Sequence, residues 1–331
     1  MPVQQPMSSV AEAETLVVEF RTRSGRVRAL DGADLSVGKG ERVGLVGESG
    51  SGKSTLALAL GRLLPPNAMN LGGGVRVSGK SVFELDDSEL RALRRHNLGY
   101  VFQDPIGTFD PTMRIGRQIE TALDGMEKAE DIAALLASVG LGDVQRIMRS
   151  YPHELSGGMA QRVSIAIAIA PKPELLIADE PTASLDASIR SQILDLVVSL
   201  CSEFGVALLL LSHDLGAINR YCERVAVMYG GRVVETGLTD SIFSNPLHPY
   251  TEALLRAAPG QEPLGGQIEP IPGRPPMLTN RMEMCSFAPR CRLAIADCHE
   301  RRPERKSYGD RSAVCFISDD RNRAITGRPL S

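Results

Sequence analysis

Residues Arg42-Val43-Gly44-Leu45-Val46-Gly47-Glu48-Ser49-Gly50-Ser51-Gly52-Lys53-Ser54-Thr55 decide how the rest of the chain is read. Arg42–Val46 is a short β-prone run, and it leads directly into a match to G-x-x-x-x-G-K-[ST]. Gly47, Gly50 and Gly52 permit a tight loop whose backbone N–H groups turn inward around phosphate oxygens. Lys53 is placed to reach the β and γ phosphates and Ser54 to ligate Mg²⁺. The spacing of apolar residues over Lys53–Leu63 predicts a helix, whose positive N-terminal end adds to the same anion site. A strand before and a helix after set this segment apart from a chance glycine turn.

Two further segments fit the same chemistry. In Leu175-Leu176-Ile177-Ala178-Asp179-Glu180 a buried-type strand ends in two carboxylates. Asp179 suits Mg²⁺ and Glu180 suits polarising a water, two tasks that nucleotide hydrolysis needs side by side. Alone, an apolar strand ending in acids is commonplace; beside a phosphate loop it gains meaning. Leu155-Ser156-Gly157-Gly158-Met159-Ala160-Gln161-Arg162 opens a helix with a small capping residue and two glycines, leaving N–H groups open to a second anion.

The surrounding chain alternates strand-type and helix-type segments. Leu16–Phe20, Leu98–Phe102, Leu175–Ala178, Val206–Leu211 and Val225–Met228 read as strands, and Met159–Ala170 and Ala187–Phe204 as helices. Such alternation predicts an α/β domain with a mostly parallel sheet. Ile115 to Tyr151 reads as helices only, which predicts a helical insertion over about 104–170. Residues 1–14 are polar and read as a flexible leader, 15–259 as the main domain, and 260–331 as an extension that opens on a Gly- and Pro-rich stretch.

Composition narrows the function. The 331 residues are 43% hydrophobic and 23% charged with a formal charge of −3, which excludes a disordered chain. A near-neutral balance argues against nucleic acid as a partner. No apolar run is long enough for a bilayer and no secretory signal opens the chain, so a cytosolic chain is expected. Residues 281–331 carry eleven Lys or Arg against seven Asp or Glu, a basic tail expected to be a solvated face. Four of the six cysteines lie there, Cys285, Cys291, Cys298 and Cys315, spaced unlike a C-x-x-C zinc knuckle. Four thiolates suit a [4Fe–4S] cluster or a zinc ion, with His299 as a substitute ligand and free thiols as the alternative. Cys201 and Cys222 fall on helical patterns and read as packing residues.

The phosphate loop, LSGGMAQR, LLIADEP, Ala183-Ser184-Leu185-Asp186 and Ser212-His213-Asp214 follow one another as in ATP-binding cassette (ABC) ATPases, and the chain resembles that family from about Leu16 to Pro259. The resemblance implies a P-loop fold with a mixed sheet core, a helical insertion and a small C-terminal Cys-containing extension. It implies that Gly47 to Thr55 bind ATP, that Gln103 stands as the Q-loop glutamine and joins Ser54 and Asp179 around Mg²⁺, and that Lys53, Gln103, Glu180 and His213 form the catalytic set. It further implies a head-to-tail dimer in which Ser156, Gly157, Gly158 and Gln161 face the partner's ATP, with Asp186 in the D-loop. The aromatic residue that usually stacks on adenine is replaced near its expected place by Arg21-Thr22-Arg23-Ser24-Gly25-Arg26, so an arginine plane or Phe20 takes that role.

Within the family, several segments are similar to ATPase subunits of oligopeptide and dipeptide importers. These are Phe102-Gln103-Asp104-Pro105, Tyr151-Pro152-His153-Glu154, His248-Pro249-Tyr250-Thr251, Ile271-Pro272-Gly273 and Cys285-Ser286-Phe287-Ala288-Pro289-Arg290-Cys291. That resemblance implies a peripheral subunit at the cytoplasmic face of the inner membrane, hydrolysing ATP for peptide import. Its partners would be a second ATPase subunit, identical or paralogous, two transmembrane permease subunits and, indirectly, a periplasmic substrate-binding protein. An iron–sulfur cluster in the four-cysteine extension belongs to the same implication. Nickel chelates, opines and glutathione-like compounds stay open as cargo, and a soluble non-transport cassette ATPase is the rival reading.

Overall fold

The computed structural model describes residues 9–23, 25–123, 129–183, 185–258 and 269–326. The chain divides into two compact units. One holds Gly38–Glu41 and Leu85–Leu209 with the first residues of the chain; the other holds Ala11–Val37, Arg42–Glu84 and Leu210–Ser331.

The second unit contains an antiparallel sheet ordered Gly25–Gly38, Ser9–Thr22, Ala68–Val77, Lys80–Ser81. Its strand Ser9–Thr22 corrects the expected flexible leader over 1–14, of which 1–8 lie outside the described residues. Ala11 and Ala13 are buried opposite Val77 and Val75, and Leu16 and Val18 continue the inward face. Alternation with period two is what a half-buried strand demands, and two alanines satisfy it without announcing themselves. The register shifts between Glu14 and Val17, where Thr15 takes a positive φ of 46°, as at a β-bulge.

A mixed sheet follows in the same unit. Arg42–Val46 runs parallel to Arg224–Tyr229, with Val43 opposite Arg224 and Val46 opposite Val227. Arg224–Tyr229 then turns through Gly230-Gly231, both at positive φ, into antiparallel Arg232–Leu238. Two glycines in the left-handed region are what a tight hairpin turn requires. Arg311–Ala313 pairs with Arg232–Leu238, and Lys306–Tyr308 pairs with Arg311–Ala313. The cysteine-bearing tail, expected as an appended module, therefore continues the sheet that carries the phosphate loop.

In the first unit Leu98–Val101 and Leu175–Asp179 pair in parallel, both largely buried, which suits near-continuous apolar runs. The helix Gly157–Ile169 lies so close that a Cβ on Gly99 would stand 2.4 Å from the Ala168 carbonyl oxygen. Among the described residues of 104–170 the regular elements are all helices. Ala187–Phe204 is an 18-residue helix ended by Gly205 at φ 67°. Cys201 and Cys222 are buried, as packing residues should be. Among the described residues no helix is long and apolar enough to cross a membrane.

Candidate functional site

The phosphate loop is shaped by contacts that only glycine permits. A Cβ on Gly47 would stand 2.2 Å from the Met228 carbonyl oxygen, and one on Gly52, at φ 106°, 2.6 Å from that of Ala29. Gly52 is also the N-cap of the helix Lys53–Leu60 and gives it no side-chain cap, so the first-turn N–H groups have no capping side chain. Lys53 is only 7% exposed, and its Nζ donates to the carbonyls of Gly47 at 2.7 Å and Glu48 at 3.2 Å. Ser51 is buried, and its Oγ has no hydrogen-bond partner among the described residues. A buried hydroxyl without a partner, an uncapped helix start and a closely held lysine fit a loop built for phosphate. Ser49, Gly50 and Ser54 are exposed at its mouth, and Thr55 is half-buried.

His213 belongs to the same unit, in the turn after the strand Ala207–Leu211. Its neighbours set that turn: Ser212 Oγ accepts from Asp214 N at 2.9 Å, and Asp214 Oδ1 accepts from Ala217 N at 3.1 Å to cap the next helix. The imidazole is exposed. Phe20 is half-buried on its strand, and Arg21 and Arg23 are exposed beyond it.

The first unit holds the remaining candidates. Asp179 closes its strand half-buried, and Glu180 follows at φ 45°, a left-handed conformation rare outside glycine. Strain of about 1–3 kcal/mol is typical of such a residue and concentrates at functional positions. Tyr100 was not foreseen. Its phenol, on the neighbouring strand, is pushed far up from its ordinary range by burial and by the Asp179 carboxylate, so it stays protonated. Its ring stacks on Phe102 at 4.2 Å. Gln103 is exposed just past that strand.

Ser156 caps the helix Gly157–Ile169, its Oγ accepting from Met159 N at 3.3 Å, with Ser156 and Gly157 exposed and Gly158 half-buried. Gln161, expected beside the partner's ATP with these three, lies deeper in the same helix. It is fully buried, and neither amide atom has a hydrogen-bond partner among the described residues. One and a half turns inside the helix, position 161 points into packing while 156–158 remain at the open end. Asp186 is exposed at the N-cap of Ala187–Phe204; Ser184 of its motif lies outside the described residues.

The basic tail is only in part a solvated face: Arg281, Arg292, Arg301 and Lys306 are exposed, but other arginines turn onto the fold. Arg290 is 5% exposed and grips Glu48 of the phosphate loop; Arg302 bonds Asp31, Arg305 bonds Asp34, Arg311 bonds Glu235 and Arg321 bonds Glu252. Charge counting missed this because a count does not show which carboxylates the arginines meet. The four cysteines share one neighbourhood: Cys285 N donates to the Cys298 carbonyl at 3.0 Å, and Cys315 feels the charges of the other three. Burial pushes the Cys315 thiol up to about 12 and raises Cys285 and Cys291 as well. Among the described residues no three His, Cys, Asp or Glu side chains form a group able to hold a metal ion. The four cysteines, with or without His299, therefore form no such group.

Comparison with known proteins decides the family. A model described as ABC transporter matches residues 30–183, and one described as oligopeptide/dipeptide transporter, C-terminal region, matches 234–298. A Brucella abortus protein named for peptide import and ATP binding is 43% identical over 321 residues, 95% of this chain and 97% of that protein. The chain belongs to the ABC transporter family. The oligopeptide transport ATP-binding protein OppD of Salmonella typhimurium is 40% identical over 318 residues, covering 94% and 95% of the two chains. A dimeric ATP-binding cassette in a post-hydrolysis state bound to ADP and Pi superposes with TM-score 0.61 at 28% identity, over 69% of this chain and 98% of that one. As an ABC ATPase the chain binds ATP with Mg²⁺, and the cassette fold expected from its motifs is the fold observed.

Proposed function

We propose that this ABC ATPase powers a peptide importer, with ATP held on the loop Gly47–Thr55 and hydrolysed between two head-to-tail subunits. The observation that carries the reading is the loop itself: Lys53 buried and held, Ser51 Oγ buried without a partner, and a helix start uncapped by any side chain. The names of the peptide-import relatives and the matched C-terminal region support the cargo class.

In this reading Lys53 neutralises the β and γ phosphates, and Ser54, Gln103 and Asp179 hold Mg²⁺. When bound there, Mg²⁺ would supply screening of the phosphate charge. Glu180 orients the attacking water and accepts its proton. Its left-handed backbone turns the carboxylate away from the direction a continuing strand would give it. His213 contacts the γ-phosphate. Ser156, Gly157 and Gly158 close over the partner subunit's ATP, with Asp186 lining the dimer interface. Closure drives two permease subunits, supplied by a substrate-binding protein, from the cytoplasmic face of the inner membrane. Arg21, Arg23 or Phe20 stacks on adenine.

Glu180→Gln tests the assignment. It should lower ATP turnover by about a hundredfold or more while ATP binding persists. Turnover at the wild-type rate would remove Glu180 from the role of base.

Cys285, Cys291, Cys298 and Cys315 are proposed to hold an iron–sulfur cluster. Four soft sulfur donors within one segment, with Cys315 in electrostatic reach of the other three, support it. Anaerobically purified protein should carry iron and acid-labile sulfide at one cluster per chain; metal-free protein would overturn the proposal.

A further inference from the structure

Arg290 lies in the tail between Cys285 and Cys291, 242 residues from the phosphate loop, yet its guanidinium forks onto the second residue of that loop. Nη1 donates to Glu48 Oε2 at 2.7 Å and Nη2 to Oε1 at 3.0 Å. The other N–H groups are also engaged: Nε donates to the Pro272 carbonyl at 2.7 Å, Nη1 to Tyr229 Oη at 3.2 Å and Nη2 to the Ile271 carbonyl at 3.4 Å. Each of the five donors has an acceptor, which fixes the side chain as a rigid fork.

Glu48 is held from its backbone as well. Its N–H donates to Tyr250 Oη at 2.9 Å, and its carbonyl accepts from Lys53 Nζ and from Ser51 N. Phe287, three residues before Arg290, packs edge-on against Tyr229 and Tyr250 with ring centres 5.2 and 5.4 Å apart. The same side chains therefore join the cysteine segment to the loop by packing and by hydrogen bonds.

A carboxylate on a loop that receives a triphosphate is electrostatically adverse. Unpaired, Glu48 would repel the phosphates that the glycines and Lys53 attract. A bidentate guanidinium at its head cancels that charge and fixes the loop's second residue.

We propose that Arg290 is a positioning residue for ATP binding: by neutralising and fixing Glu48 it makes the C-terminal cysteine segment part of the nucleotide site. The proposal rests on the reading that Gly47–Thr55 binds ATP. It assigns Arg290 no contact with ATP; it acts through Glu48.

The test uses the full chain, titrated with a fluorescent ATP analogue and assayed for ATP hydrolysis. Arg290→Ala should weaken analogue binding and raise KM for ATP about tenfold, the scale of a lost charge-assisted hydrogen bond, with kcat changing far less. Arg290→Lys, which keeps the charge and loses the fork, should fall between. The deciding variant is the double change Glu48→Gln with Arg290→Ala, which removes the stranded carboxylate and should recover most of the lost affinity. A purely architectural arginine would give a double variant no better than the single one, and that result overturns the proposal. So does wild-type affinity in a folded Arg290→Ala. If Arg290→Ala does not fold, the same comparison is made with Arg290→Lys, alone and with Glu48→Gln, and the same two outcomes overturn it. Lys53→Ala separates the two readings: unchanged analogue binding in that variant would reject the phosphate loop as the ATP site, and the role of Arg290 with it, whereas weakened binding there beside wild-type binding in folded Arg290→Ala would reject the role of Arg290 alone.

Discussion

Arg311 and Glu235 meet with Nη2 and Oε1 3.1 Å apart, the arginine side chain 9% exposed and the carboxylate wholly buried. Glu235 also accepts from Leu247 N at 2.7 Å and His248 N at 2.9 Å, so one carboxylate ties a tail strand to the segment leading into the helix Pro249–Arg256. Removing one member of a buried pair strands the other. Arg311→Met should therefore cost about 3–5 kcal/mol in urea denaturation, and a cost under about 1 kcal/mol would show that the tail contributes little to the fold.

His248 should make stability depend on pH. It is buried, Nδ1 accepts from Tyr250 N at 3.0 Å, and burial aided by the charge of Arg321 pushes its pKa down to about 3. The unfolded chain takes up this proton near the ordinary 6.5 and the folded chain does not until about 3. The stability it contributes is thus complete above 6.5 and is lost as pH falls toward 3, at up to about 1.4 kcal/mol per pH unit. Thermal unfolding from pH 7 to 5 should show a shallower slope for His248→Gln than for wild type. Equal slopes would exclude His248 as the source.

Gly47→Ala should damage the loop without touching its charged groups. The new methyl would meet the Met228 carbonyl oxygen at 2.2 Å, a backbone contact too short to keep. Overpacking of this kind costs about 1–3 kcal/mol, which predicts ATP binding weaker by about tenfold or more. Isothermal titration with wild-type affinity would show that the loop adapts.

Gln161→Met should stabilise the protein. The change keeps the volume of a buried side chain and removes two amide atoms that find no partner among the described residues. The gain should be about 1–3 kcal/mol in chemical denaturation. A loss of stability would mean that the amide is satisfied in solution, for instance by water.

What the sequence discloses follows from how local the physics is. The loop Gly47–Ser54 is legible because a strand, a helix start and three glycines all lie within a few residues and demand one backbone shape. Ala11 and Ala13 are not, since alanine's burial shows only when Val77 and Val75 stand opposite. Gln161 sits in a motif that reads as an exposed surface, and only the helical turn shows which of its residues turn inward. Arg290 is the extreme case. An arginine in a basic tail reads as solvated until folding brings Glu48 within 2.7 Å.

The grip of Arg290 on Glu48 also limits how such chains can be recombined. A phosphate loop grafted into this chain with a neutral or basic residue at position 48 would leave the guanidinium facing no carboxylate. A foreign tail lacking the arginine would leave Glu48 bare. The two segments should be exchanged as one piece, so the natural cut points for chimeras are not those suggested by the Gly- and Pro-rich linker.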